Sequence, residues 1–517
     1  MRYLWIDSLC IIQDDQTDWE TESQKISSIF KNAQITIIAA SAPDPKTPIL
    51  TERPQHAEAA AFEFPERDGS HSFLYSRPVT PADTFHWPPA QQPPKGSGGA
   101  RRSPQEEEQA IYTRSWALQE HLLAPRAIHY QPNRVLWTCK TPRRHHHKHR
   151  DERQHLLPLP RKTSTTRQKP PLAHHHTVSR DKWWHYVAAS TARELARPSD
   201  KLPAISAIAS AIAAQQQNSA VDDDGDEYLA GLWRRSLVAD LGWRNESNRY
   251  RCSSSISSIG SNGSIIGSSN KRHVRSPGEE EEEEEEGKEE ETPPYLAPTW
   301  SWASLATTAT AQQPPGSRRR QVITNEAAAA TAAASATAAA GKLSKRQNDD
   351  DDDKNNEIFR FFTAAVDAAV TLAGPNRFGA VRDGFVTLRG PLLPLRGEEV
   401  VRLVWDGRAA ASLASSSASF TPDAALCVGR GVLETGEEVA TVCRGYSSGE
   451  ELGGEECPGV VVHVLLLFET WEDAVGLVLG RSRRVRGAYE RLGRMQIRRR
   501  GLKAVMQAAV ESTVTIV

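Results

Sequence analysis

Four low-complexity tracts cut this chain into pieces, and they limit what it can fold into more than any motif does. Residues 88–110 are rich in Pro, Gly, Gln and Glu, and 141–180 carry two His runs in a basic setting. Residues 247–293 join a Ser/Gly tract to the acidic run Glu279 to Glu286, and 305–357 join an Ala-rich tract to the run Asp349 to Asp353. None holds enough apolar surface to offset the entropy of ordering, so all four are expected to be disordered loops. The Ala-rich tract has helix propensity but no apolar stripe to dock it. With hydrophobic residues at 38% and with 33 Gly and 32 Pro in 517 residues, much of the chain is not core. What folds must be assembled from the blocks between the tracts.

The first block, RYLWIDSLCIIQDDQTDW at residues 2–19, opens on four apolar residues, Tyr3 to Ile6, that run into Asp7. A continuous apolar run without alternation suits a strand covered on both faces, as in a parallel sheet. Thr17 and Glu20 have capping-box spacing, which predicts a helix over about 18–33 with Trp19, Ile26, Ile29, Phe30 and Ala33 on one face. The β-branched stretch Gln34 to Ala40 predicts a second strand, ended by Pro43. Strand, helix and strand in this order make a right-handed βαβ unit inside a parallel sheet. Further on, Trp116 to Leu123 predicts a short helix after Ser115, and residues 127–130 with 135–139 predict a hairpin. Residues 181–213 predict helices broken at Pro198 and near Pro203, and 226–243 predict another. From residue 358 the signal is β, with a turn at Asp383–Gly384 and strands at 459–468 and 474–480.

The blocks LWIDSLCIIQDD, DWETE, RSWALQEHLLAPRAIHY (114–130), SDKLPAISAIAS (199–210), YLAGLW (228–233) and APTWSWAS (297–304) occur in an order that resembles the heterokaryon-incompatibility (HET) domain proteins of filamentous fungi. GAVRDGFVTLRGPLLPL and GLVLGRSRRVRGAYERLGRMQI resemble the region that commonly follows that domain. In the family another strand and helix precede the LWIDSLCI block, so the resemblance implies a chain that starts inside its domain. The expected architecture is α/β, with five parts. These are a partial, parallel-sheet, TIR-like HET domain over 1–140, a basic, His-rich linker over 141–180, a helical connector over 181–304, a low-complexity linker over 305–357 and a β-rich region over 358–517. The implied function is non-self recognition in which the HET domain promotes incompatibility cell death in the cytoplasm, through protein partners or self-association.

Which residues could carry chemistry? At about 100° per residue Glu22 falls on the apolar face with Trp19 and Ile26. A carboxylate there either meets an arginine, Arg114 or Arg126, or faces a cleft. Asp7, at the carboxyl end of the expected strand, is either a loop-capping acid or a ligand-facing one. Gln119 and Glu120 flank Trp116 and Leu123 and are expected to brace their helix against the sheet, Cys10 to be a packed thiol, Trp300 and Trp302 to plug the core, and Trp5 to be a supporting residue of its motif. Some TIR domains, distantly similar to HET domains, cleave NAD through a glutamate on a helix following a Trp. Trp19-x-x-Glu22 is a loose echo of that pattern, which implies NAD as a substrate and Glu22 as the group that stabilises the developing oxocarbenium. The opposing expectation is an inert signalling scaffold.

Other classes are disfavoured. A net charge of −2 gives no overall pull toward nucleic acid or anionic membrane. The six Cys are scattered without a C-x-x-C pair, which argues against a zinc site and a disulfide framework. His145 to His147 with His149, and His174 to His176, lack the fixed second partners a metal site needs, so no metal or cofactor is expected. The longest apolar run, Val460 to Phe468, is too short for a membrane helix and reads as a buried strand.

Overall fold

The computed structural model describes residues 2–42, 44, 46–50, 60–65, 71–76, 110–131, 135–140, 178–217, 226–248, 295–305, 322–325, 360–396, 418–424, 426–444 and 460–517. Most of the four low-complexity tracts therefore lies outside the described residues, as do the expectations placed on them.

The first part holds a helical turn α1 (Asp7–Cys10), helix α2 (Gln16–Asn32), strand β1 (Thr36–Ile38), a hairpin of β2 (Ala60–Pro65) and β3 (His71–Ser76), helices α3 (Ala110–Thr113) and α4 (Trp116–Leu123), and strands β4 (Arg126–Tyr130) and β5 (Val135–Cys139). β1 runs parallel to β4 and β4 antiparallel to β5, giving a three-stranded sheet. Residues 2–6 are not a strand. They lie extended and unpaired among the described residues, with Tyr3 93% exposed, and only Trp5 docks, edge-on to Phe30 at 5.6 Å. Apolar character alone does not make a strand, because a strand needs a neighbour to take its backbone groups. The expected βαβ unit is thus absent from the described residues, and the parallel strand pair of this first part is β1 with β4. α2 begins two residues before the capping-box reading: Asp15, not Thr17, is its N-cap and accepts from the Thr17 and Asp18 amides.

The connector comprises α5 (Trp183–Thr191), α6 (Pro203–Gln217), a tight hairpin of β6 (Tyr228–Leu229) and β7 (Leu232–Trp233), the short helix α7 (Leu237–Asp240), and β8 (Arg244–Asn245) paired with β9 (Ile323–Thr324). The helix expected over 226–243 is corrected to that hairpin and one helical turn. Ala230 (φ 43°) and Gly231 (φ 97°) both take positive φ, the geometry of a two-residue hairpin turn rather than of a helix. Among residues 305–357 the described ones include β9, whose Ile323 is fully buried.

The last part is a β structure: β10 (Arg360–Phe361), β11 (Ala364–Leu372), β12 (Val381–Arg396), β13 (Ala418–Pro422), the hairpin β14 (Leu426–Val432) with β15 (Glu438–Arg444), β16 (Val461–Glu469), β17 (Asp473–Arg481), β18 (Tyr489–Arg498), helix α8 (Arg499–Ala508) and β19 (Val510–Ile516). Strands β16, β17, β18, β19 and β12 pair in sequence and β12 pairs back to β16, so the sheet closes on itself. Asp383–Gly384 is no turn. It continues β12 opposite Thr371 and Val370, and Gly384 leaves room for Pro298, whose Cγ would be 2.9 Å from an added Cβ. β16 explains its unbroken apolar run. Leu465 and Leu467 face the main core, while Val462, Val464 and Leu466 face a second core sealed by Leu502 and Val505 of α8.

That main core joins all three parts. Ile26 of α2 and Leu118 and Leu122 of α4 share it with Trp183, Trp233, Trp243, Trp300 and Trp302 and with Val386, Leu388 and Leu477 of the closed sheet. Trp300 and Trp302 are buried as expected. Trp243 Nε1 donates to the Trp300 carbonyl at 2.9 Å, and Trp302 Nε1 donates to the Gly231 carbonyl at 3.1 Å.

Candidate functional site

The polar residues of RSWALQE turn α4 into the hub of the first part. Ala117, Leu118, Leu122 and Leu123 bury the apolar face of the helix, and Pro125 ends it by holding Ala124 extended. Its remaining side chains reach the connector. Ser115 Oγ lies 2.6 Å from Ser190 Oγ, Trp116 Nε1 donates to Asp200 Oδ2 at 3.4 Å, and Gln119 Oε1 accepts from the Ala207 amide at 3.1 Å. Trp19 stands edge-on to Trp116 with centroids 6.2 Å apart, which ties α2 to the same hub. Gln119 is fully buried, so it braces the helix, but against α6 rather than against the sheet. Arg114 is exposed and its backbone is bridged to Glu194.

Asp7 belongs to this hub as well. It sits in α1, where its Oδ1 accepts from the Ser8 amide at 2.8 Å and its carbonyl from Gln13 Nε2 at 3.3 Å. The following loop is pinned to α2, because the Ile12 amide donates to Asp18 Oδ2 at 2.8 Å. Asp7 therefore caps a loop, and its charge acts on Glu120. Burial, reinforced by the Asp7 charge and opposed by Arg114, pushes Glu120 up to about 7. Nothing in sequence spacing connects residues 7 and 120, so this electrostatic effect is visible only in the fold.

Glu22 lies elsewhere. It pairs with Lys25 on its own helix at 2.6 Å, so neither Arg114 nor Arg126 is its partner. Arg126 instead donates to the Gln34 carbonyl at 3.4 Å. Cys10 is exposed rather than packed. Beneath α4, His129 of β4 is fully buried. Its Nδ1 lies 2.7 Å from the Tyr112 hydroxyl, its ring centroid lies 4.8 Å from that of His121, and burial lowers its pKa to about 4. Among the described residues no cluster of His, Cys, Asp or Glu could hold a metal ion, and no helix is long and apolar enough to cross a membrane.

Among the described residues the outer face of the three-stranded sheet is apolar and open. Ile37, Ile128 and Trp137 stand in register across β1, β4 and β5, with Ile37 56% and Trp137 52% exposed, and Tyr130 and Val135 form the next row.

The two titrating groups at the hub act in opposite directions. Glu120 has a raised folded pKa, so its contribution is complete below the ordinary value of 4.5 and is lost as pH rises through about 7. His129 has a lowered one, so its contribution is complete above the ordinary value of 6.5 and is lost as pH falls toward 4. Comparing variants separates them. The melting temperature of Glu120→Gln relative to the unaltered chain should climb from pH 4.5 to 7 and then level off. A difference independent of pH would show that Glu120 titrates normally.

Residues 1–120 match the family described as Heterokaryon incompatibility protein (HET), so the chain carries a HET-domain segment. The match ends inside α4 and takes in α1, α2, Asp7, Glu22 and Glu120. No curated protein and no solved structure matches the chain.

Proposed function

We propose that this chain is a fungal non-self recognition protein whose N-terminal segment promotes incompatibility cell death in the cytoplasm through protein contact, either with a partner or with its own kind. The observation that carries this reading is the HET match over residues 1–120. The contact reading draws support from the open row of Ile37, Ile128 and Trp137. An apolar sheet face that no described residue covers is costly in water and is characteristic of surfaces that meet another protein.

Cleavage of NAD at Glu22 by a TIR-like domain is the alternative, and the geometry gives it less. Glu22 is engaged with Lys25, and Asp7, its expected companion, is held in a loop-capping hydrogen bond to the Ser8 amide. A part-exposed i,i+3 pair contributes well under about 1 kcal/mol, so Glu22→Gln should stay folded. Expressed in a fungal host, Glu22→Gln is expected to kill as the unaltered chain does, and neither purified protein to consume NAD. Loss of killing in a folded Glu22→Gln protein, together with NAD consumption by the unaltered one, would replace the contact reading with the hydrolase.

A further inference from the structure

A cleft of about 220 Å³ opens where the three parts of the chain meet. α2 supplies Ser23 and Gln24, α6 supplies Ser206 and Ser210, and the loop between β11 and β12 supplies Asn376 and Arg377, over a floor of Ala207 and Phe378. That volume equals about seven waters in the liquid, room for a small organic molecule and too little for a peptide.

Several of these groups are spent on building the walls. Ser206 Oγ donates to the Pro203 carbonyl at 2.8 Å and accepts from Asn376 Nδ2 at 3.3 Å, which fixes the loop to α6. Asn376 Oδ1 accepts from the Phe378 amide at 3.0 Å. Ser23 Oγ and Gln24 Nε2 each donate to the Glu20 carbonyl at 3.0 Å. Two groups stay uncommitted. The Arg377 guanidinium is held 5.2 Å from the Phe378 ring centroid, and it makes no ion pair with a described residue. Ser210 has a hydroxyl with no hydrogen bond to a described residue.

No carboxylate lines the cleft, although Glu20 stands on its rim beside Gly374, where an added Cβ would meet Glu20 Oε2 at 2.8 Å. One cation and a free hydroxyl suit a single anionic group. The rim carboxylate works against a polyanion. We propose that this cleft binds a small molecule bearing one phosphate or carboxylate group, seated on Arg377 and Ser210, and that the ligand braces the HET-matching segment against the C-terminal sheet. The inference is independent of the incompatibility reading, since it requires only that the three parts meet.

The test uses the full chain with inorganic phosphate and lactate as separate probes, read by thermal denaturation and calorimetric titration at millimolar concentration. Saturable binding of at least one probe is expected, with a rise in melting temperature; which of them binds assigns the anionic group. Arg377→Gln should weaken binding about tenfold or more, the worth of one charge-assisted hydrogen bond, and leave the ligand-free melting temperature unchanged because the side chain is exposed. Absence of saturable binding by both probes would overturn the proposal, as would binding that Arg377→Gln and Ser210→Ala both leave intact.

Discussion

Asp423→Ala should remove about 3 to 5 kcal/mol of stability and uncouple the connector from the closed sheet. The Asp423 side chain is fully buried. Its Oδ2 accepts from Arg491 Nε at 2.8 Å and from Arg444 Nη2 at 2.8 Å, and its Oδ1 accepts from Arg491 Nη2 at 3.2 Å. Arg491 in turn donates to the carbonyls of Leu241 at 2.7 Å and Trp243 at 2.6 Å, and its guanidinium lies 3.5 Å from the Trp243 ring centroid. Burial lowers Arg491 to about 10, with Asp423 opposing the fall. Removing the carboxylate leaves Arg491 in a dry site with Arg444 beside it, and a domain stable by about 5 to 15 kcal/mol cannot absorb that without large loss. Urea denaturation measures it, with Glu511→Ala as the control. Glu511 pairs with Arg389 at 3.6 Å in solvent and should contribute under about 1 kcal/mol. Equal effects of the two changes would mean that the buried network does not hold the parts together.

Gly231→Ala should be nearly as severe, by a different route. At φ 97° a β-carbon costs about 1 to 2 kcal/mol, and here it would lie 2.4 Å from Nε1 of the buried Trp302. The Gly231 carbonyl receives the indole N–H groups of both Trp183 and Trp302, so the hairpin cannot shift without breaking two hydrogen bonds. Overpacking adds about 1 to 3 kcal/mol. A much lower melting temperature and a weakened near-ultraviolet tryptophan signal are the expected result. Gly436→Ala isolates the backbone term: φ is 91°, but the new atom meets only the flexible end of Arg486. A Gly231→Ala protein no less stable than Gly436→Ala would place the Trp302 contact outside the core's energetics.

What the sequence disclosed, and what it hid, follows from the range of the forces involved. α4 was legible to the residue, because its apolar spacing and Pro125 are local signals. β4, β5 and β16 were legible for the same reason, and Trp300 and Trp302 because large aromatic rings seek the interior. Residues 2–6 misled because a strand is decided by its neighbour and not by its own composition. YLAGLW misled because an apolar run with one Gly fits a helix or a hairpin equally, and only the positive φ of Ala230 and Gly231 decides. Gly384 carries a turn signal, yet the close approach of Pro298 is what requires glycine there. The candidate site was legible in its residues and hidden in its pairings. Asp7 and Glu120 were both singled out, but the action of the Asp7 charge on Glu120 depends on the fold, and the partner of Glu22 proved to be on its own helix.

The open row of Ile37, Ile128 and Trp137 offers the most direct measurement of the proposed function. Trp137 is half exposed, so Trp137→Arg removes an apolar contact surface without opening a cavity and should leave the melting temperature within about 0.5 kcal/mol equivalent of the unaltered chain. Viability of a filamentous fungal host on induced expression is then scored for the two proteins side by side. Death with the unaltered chain and survival with a folded Trp137→Arg chain is the predicted result. Survival with both, or death with both, would contradict killing by protein contact through this sheet.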